Sequence, residues 1–205
     1  MAHTTITLND IERELTRRRP TIASTEEKRR ASVAMLLNGT EDDLHLLFIE
    51  RAKHPEDPWS GNLAFPGGRK DKTDSSTRAT AERETVEELD LDPTAGHFLG
   101  RLDDIEGAYL PVVIACFVYY LPKCPSIRPN HEVADYFWFP LSGLLDERRH
   151  KTRPLFWHGE ERTIRGIDLG KPNCPILWGI TYRLVIQLLT RLGRLPECLS
   201  HVTDD

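Results

Sequence analysis

No stretch of this chain approaches the roughly 18 consecutive apolar residues of a membrane-spanning helix. The longest apolar run, PVVIACFVYYLP from Pro111 to Pro122, has the length and β-branched character of a strand. Cysteine is sparse. Cys116, Cys124, Cys174 and Cys198 form no C-x-x-C pair, so reduced thiols are expected and not a zinc ribbon or a disulfide framework. There is no basic excess: 27 Lys and Arg against 32 Asp and Glu leave a net charge of -5, which argues against a general nucleic-acid binder. Low-complexity tracts and internal repeats are lacking. The opening MAHTTITLNDIERELTRRRP has no apolar signal core, and the closing HVTDD matches no retention or peroxisomal tag, so the cytoplasm is the expected compartment.

What is present suits one domain of ordinary size. The 205 residues are 39% hydrophobic and 29% charged, enough apolar material for a packed core and too much for global disorder. TLNDIERELTRRRP reads as a short helix that Thr7 or Asn9 caps and Pro20 stops, with Ile11 and Leu15 four residues apart. Residues 1–30 are read as a helical extension and 31–205 as the main domain. ASVAMLLNG and LHLLFIER flank the polar TEDD as a β-hairpin, and GNLAFPGG reads as a short strand entering a glycine turn. A helix is expected over Ser75–Leu89, with Ser75, Ser76 or Thr77 as its cap. Beyond it come the apolar strand, HEVADYFWFPL, a hairpin around His158-Gly159-Glu160-Glu161, and a C-terminal amphipathic helix ended by Gly193. Strands interleaved with a few helices indicate a mixed α/β layered domain. Trp59, Trp138, Trp157 and Trp178 fall near loops or strand ends, positions where packing is the usual role.

The Ser75–Leu89 helix poses a physical problem. Glu84, Glu87 and Glu88 lie within about a third of its circumference, and like charges three or four residues apart repel. Ala79, Val86 and Leu89 are expected on the opposite, core-facing side. Hard carboxylate oxygens gathered in this way suit Mg²⁺ or Mn²⁺, which would turn the repulsion into attraction. Two neighbours fit that reading. Arg83 can brace a carboxylate, and the Phe65-Pro66-Gly67-Gly68 segment lets backbone carbonyls approach. An acidic protein can then act on anions through a dication.

The segment from Gly67-Gly68 to Arg83-Glu84-Thr85-Val86-Glu87-Glu88 resembles the Nudix box, G-x5-E-x7-R-E-U-x-E-E-x-G-U, where U is apolar. Arg83, Glu84, Glu87, Glu88 and Leu91 fall in register with its second half. Gly68 stands one residue further from Arg83 than the pattern has it, the early Glu is replaced by Asp74 or Ser75, Thr85 occupies an apolar position, and Asp90 replaces the late Gly. DPWSGNLAFPGGRKDKTDSS, HEVADYFWFPLSGLL and PILWGITYRLV are further similar to the coenzyme A pyrophosphatase subgroup. Trp59 and Asn62 depart from that subgroup's upstream motif.

This resemblance implies a Nudix-type α/β/α sandwich with a mixed central sheet. It also implies metal-dependent hydrolysis of a pyrophosphate bond in a nucleoside-diphosphate-linked substrate, with coenzyme A or an acyl derivative favoured. Nucleoside-diphosphate sugars, dinucleotides or altered nucleotides are alternative substrates, and a non-catalytic nucleotide-binding domain is the alternative class. By resemblance Glu84, Glu87 and Glu88 hold Mg²⁺ or Mn²⁺, the Gly67 or Gly68 carbonyl adds a ligand, and Arg83 orients Glu84 or Glu87. The general base is one of the box glutamates or a distal carboxylate, with Glu132 the distal candidate and Glu106 behind it. Arg51, Lys53, Arg69 and Lys70 flank the box and are candidates for the outer phosphates. His54, His131 and His158 have no paired Ser or Cys motif, which disfavours a histidine-centred mechanism. A small-molecule substrate is the expected partner, without nucleic acid or membrane, and a homodimer is left open.

Overall fold

The computed structural model describes residues 5–24, 28–55, 59–107, 111–157, 160–172 and 174–199. Its N-terminal helix α1 (Leu8–Arg17) starts at Thr7, whose hydroxyl accepts from the Asp10 N–H while the Asp10 carboxylate accepts from the Thr7 N–H. This capping box satisfies two otherwise orphaned donors and decides for Thr7 over Asn9. The helix buries Ile11 and Leu15, the pair expected from their spacing.

β1 (Arg29–Thr40) and β2 (Asp43–Arg51) form the expected antiparallel hairpin, closed at Thr40 and Asp43. β3 (Leu63–Ala64) pairs with β2, and β4 (Gly67–Arg69) pairs antiparallel with β1. The Gly-Gly pair is thus extended strand against Val33 and Ser32, not the turn expected. Gly67 has φ 151°, and a Cβ there would meet the Val33 Cα at 2.6 Å, so the absence of a side chain permits the close approach.

α2 (Thr77–Leu89) is followed by β5 (His97–Arg101), β6 (Ile105–Glu106), β7 (Val112–Leu121) and β8 (Val133–Pro140). β7 lies parallel to β1 from Arg29–Val112 to Asn38–Leu121, while its contacts with β5 and β6 are antiparallel. The sheet runs β3-β2-β1-β7-β5, with β8 also on β2, and is mixed as anticipated. A second sheet joins β9 (His150–Trp157), β10 (Glu160–Ile167) and β11 (Leu177–Trp178), and β11 leads into α3 (Gly179–Arg191).

Period-two alternation in β1 and β7 supplies two cores. Ala34, Leu36, Ala115, Phe117 and Tyr119 pack with Ala81 and Leu89 of α2. Met35, Leu37, Cys116 and Val118 pack with Ile11 and Leu15 of α1 and Leu184, Val185, Leu188 and Leu189 of α3. The sheet is therefore covered by helices on both faces, an α/β/α sandwich. Among the described residues no helix is long and apolar enough to cross a membrane.

Candidate active site

α2 begins where the Ser76 hydroxyl accepts from the Ala79 N–H at 3.1 Å and ends at Asp90, which takes the left-handed conformation at φ 52° and donates its N–H to the Val86 carbonyl. Its buried residues are Thr80, Ala81, Thr85, Glu88 and Leu89. This corrects the expected phase. Leu89 faces the core, but Val86 is 43% exposed and Ala79 only half-buried, while a glutamate turns inward. Thr85 can occupy an apolar position because its hydroxyl donates to the Ala81 carbonyl at 2.7 Å.

Glu88 is 2% exposed. One carboxylate oxygen accepts from the Gly67 N–H at 2.9 Å, and the other lies 3.9 Å from the Arg51 guanidinium. Burial dominates its titration and pushes its pKa up to about 8; the Gly67 hydrogen bond and Arg51 oppose this, and the charges of Glu84 and Glu132 add to it. Glu84, one turn earlier and half-buried, is raised by the same loss of solvation and by the charges of Glu87 and Glu132, against the pull of Arg83. A Cβ on Gly68 would fall within 2.6 Å of both Glu84 carboxylate oxygens, so the bare glycine is what lets this side chain lie against β4.

Arg83 bridges the acidic groups. Its Nε and Nη2 donate to the two Asp74 oxygens at 2.9 and 3.0 Å, and its Nη1 donates to Glu87 at 2.8 Å. Nη2 also donates to the Arg69 carbonyl at 3.2 Å and stands 2.9 Å from Glu84. Asp74 is buried and additionally accepts from the Asp71 N–H and the Thr80 hydroxyl; the Arg83 bond, foremost, holds its carboxyl well below the usual carboxylate range. Between the two residues left open for the early acidic position, Asp74 is the one bound to Arg83, and Ser75 is exposed.

Glu132 reaches this region through the loop before β8. The Asn130 N–H donates to the Glu88 carbonyl at 2.8 Å and the Arg128 N–H to that of Leu89 at 2.9 Å, so the loop satisfies carbonyls that the helix end leaves open. The Glu132 N–H in turn donates to the Asn130 side chain at 2.8 Å, and the Glu132 carbonyl accepts from Ala52. Asn130 and Thr80 carry no signal in the sequence that singles them out. Glu106 stands elsewhere, on β6, paired with Lys28 at 2.5 Å.

Among the flanking cations, Arg51 faces Glu88 as above, whereas Lys53 and Arg69 are exposed. Lys70 donates to the carbonyls of Asp71 and Asp74. His54 and His131 are exposed, and His158 lies outside the described residues. Among the described residues no three acidic, imidazole or thiol side chains form a closed ligand cage, since Glu87 is drawn to Arg83 and is 55% exposed. The donor chemistry nevertheless fits a hard dication. Buried Glu88 and half-buried Glu84 present oxygens whose charges oppose each other and are opposed by Glu132.

Residues 28–157 match the model of the NUDIX domain, and the chain belongs to this family. The matched part includes α2 and the site just described. A protein of Schizosaccharomyces pombe is 34% identical over 150 residues, covering 62% of this chain and 46% of its own length. The Nudix hydrolase NudL of Escherichia coli is 26% identical over 199 residues, covering 96% of this chain and 100% of its own. The chain thus spans about half the length of the first relative and all of the second. Among solved structures, a MutT/nudix family protein from Enterococcus faecalis shares the fold with a TM-score of 0.56 at 20% identity, over 95% of this chain and 74% of that one.

Proposed function

We propose that this chain is a Mg²⁺- or Mn²⁺-dependent pyrophosphohydrolase acting on a nucleoside-diphosphate-linked substrate, with coenzyme A or an acyl-CoA favoured. The observation that carries the proposal is the mutually repelling pair of buried Glu88 and half-buried Glu84 beside the Gly67-Gly68 strand. A fold does not hold such a pair for stability, because burying carboxylates without a full counter-charge is costly. Support for the substrate comes from DPWSGNLAFPGG and ILWGITYRLV, the segments similar to the coenzyme A subgroup.

In this reading Glu84 and Glu88 hold the metal, with Glu87 and the Gly68 carbonyl as additional oxygens. A bound dication neutralises phosphate charge and lowers the pKa of water. Arg83 positions Glu84 and Glu87 through its fork and is itself fixed by Asp74. Glu132 accepts the proton of the attacking water, whose oxygen bonds to one phosphorus. The bridging P–O bond breaks, its electron pair stays on the leaving phosphate, and two phosphomonoesters result. Arg51, Lys53, Arg69 and Lys70 contact the outer phosphates.

The test is product analysis with the full chain and a panel of coenzyme A, acetyl-CoA, an NDP-sugar, NADH and ADP-ribose, with Mg²⁺, with Mn²⁺ and with chelator. Coenzyme A is expected to yield 4'-phosphopantetheine and 3',5'-ADP only with metal. Faster cleavage of another compound would overturn the substrate assignment, and no cleavage of any would overturn the enzymatic reading.

A further inference from the structure

Ser32 of β1 is fully buried, and among the described residues its hydroxyl has no hydrogen-bond partner. An unpaired buried hydroxyl is destabilising, so its presence calls for an explanation. The register of the sheet says what it faces. Ala34 and Leu36, two and four residues on, pack with α2, so period-two alternation turns Ser32 to the same face. Its in-register neighbours offer no polar side chain there: Ala115 of β7 stands on one flank and Gly68 of β4 on the other. Gly68 is also the position whose missing side chain makes room for Glu84.

A Cβ on Gly68 would stand 2.4 Å from the Glu84 carboxyl carbon, so that carboxylate overlies the spot directly across from Ser32. Side chains of opposed residues start about 5 Å apart, of the order of one Cβ–Oγ bond followed by one hydrogen bond. In this structure Glu84 leans to Arg83, whose Nη2 at 2.9 Å is shared with Asp74 and the Arg69 carbonyl. The hydroxyl is therefore an unused donor on the sheet side of a carboxylate that depends on a shared one.

We propose that Ser32 is a positioning residue for Glu84: its hydroxyl donates to that carboxylate when the carboxylate leaves Arg83 for a dication. The inference rests on the metal reading above and adds to it a donor that fixes one ligand from the sheet side. Ser32 itself takes no part in bond making or breaking. Mn²⁺ affinity is measured by calorimetry on the full chain, beside thermal melts in chelator, for the parent, Ser32→Ala and Ser32→Thr. Ser32→Ala is expected to bind Mn²⁺ about tenfold more weakly or worse, the loss of a hydrogen bond to a charged group. Its melting temperature without metal is expected to stay at or above the parent's, because an unpaired hydroxyl stabilises nothing. Ser32→Thr keeps the donor and is expected to recover most of the affinity. A residue that merely fills space would do the reverse, lowering the metal-free melt and leaving Mn²⁺ affinity alone. A parent that takes up Mn²⁺ with an affinity that Ser32→Ala leaves unchanged overturns the role of Ser32 and spares the metal reading. Equal weakness of the Ala and Thr variants, with metal-free melts like the parent's, overturns it too. A parent that takes up no Mn²⁺ overturns the metal reading, and this inference with it.

Discussion

Replacing Glu88 by Gln should stabilise the metal-free chain and at the same time remove its response to metal. The carboxyl titrates at 4.5 when unfolded and at about 8 when folded. The folded state therefore binds the proton more tightly, and stability falls as pH rises above the unfolded value, until it levels off above the folded one. At about 1.4 kcal/mol per pKa unit, burying the Glu88 carboxyl costs about 3 kcal/mol near pH 7, where it is held mostly protonated, and approaches about 5 kcal/mol near pH 9, where it is ionised. Gln carries no charge to bury and keeps an oxygen for the Gly67 N–H. Against this, its amide donors need acceptors, about 1–3 kcal/mol if they find none, and Arg51 loses its Glu88 contact although it still reaches water at 27% exposure. A net gain of about 1–2 kcal/mol above pH 8 follows; it shrinks as pH falls and becomes a loss below pH 5, where only the pH-independent cost of the amide remains.

Urea unfolding in chelator across that pH range measures the difference, provided the denaturant slope is unchanged. A variant that is no more stable than the parent at high pH, or a difference that does not vary with pH, would refute the reasoning. In the second arm, Mg²⁺ or Mn²⁺ should raise the parent's melting temperature and leave the variant's alone, while turnover falls at least about a hundredfold, or about 2.7 kcal/mol. Stabilisation by metal that persists in the variant would remove Glu88 from the ligand set.

Four shorter tests bear on its neighbours. Gly68→Ala puts a methyl group against the Glu84 carboxylate; with that side chain displaced, activity should drop by up to about a hundredfold, while circular dichroism and melting stay close to the parent's. Arg83→Ala should lower turnover and weaken metal binding by loosening Glu84 and Glu87, and Arg83→Lys should recover only part, because one ammonium cannot span both Asp74 oxygens; unchanged metal titrations would count against positioning. Asp74→Asn should cost about 2–3 kcal/mol at neutral pH. Since the folded carboxyl titrates below its unfolded value of 3.8, the parent's advantage should hold above that value and vanish as pH falls through the lower one, which melts at decreasing pH would show. Asp90→Gly should raise stability by about 0.5 kcal/mol by relieving left-handed backbone, and a drop would mean that the Asp90 side chain matters more than its conformation.

The layers of the fold were legible because hydrophobic period carries them. The β1–β2 hairpin, the β-branched β7 and the amphipathic α3 all show alternation or helical spacing that survives in the packing. The box helix was legible in extent but not in phase, and the reason is physical. An amphipathic reading assigns apolar residues to the core and carboxylates to water, so it sent Val86 inward and Glu88 outward. The molecule does the reverse at both positions. What decides the phase is the Gly67-Gly68 strand, whose N–H reaches Glu88 and whose missing side chain admits Glu84, a long-range constraint with no local sequence signature. The same holds for Asn130, which joins the pre-β8 loop to the helix end across 42 residues of sequence counted from Glu88. The mismatch is itself informative. A helix that turns a valine to solvent in order to keep a glutamate dry violates the rule that stability alone would enforce, and such violations mark the positions where function outweighs packing.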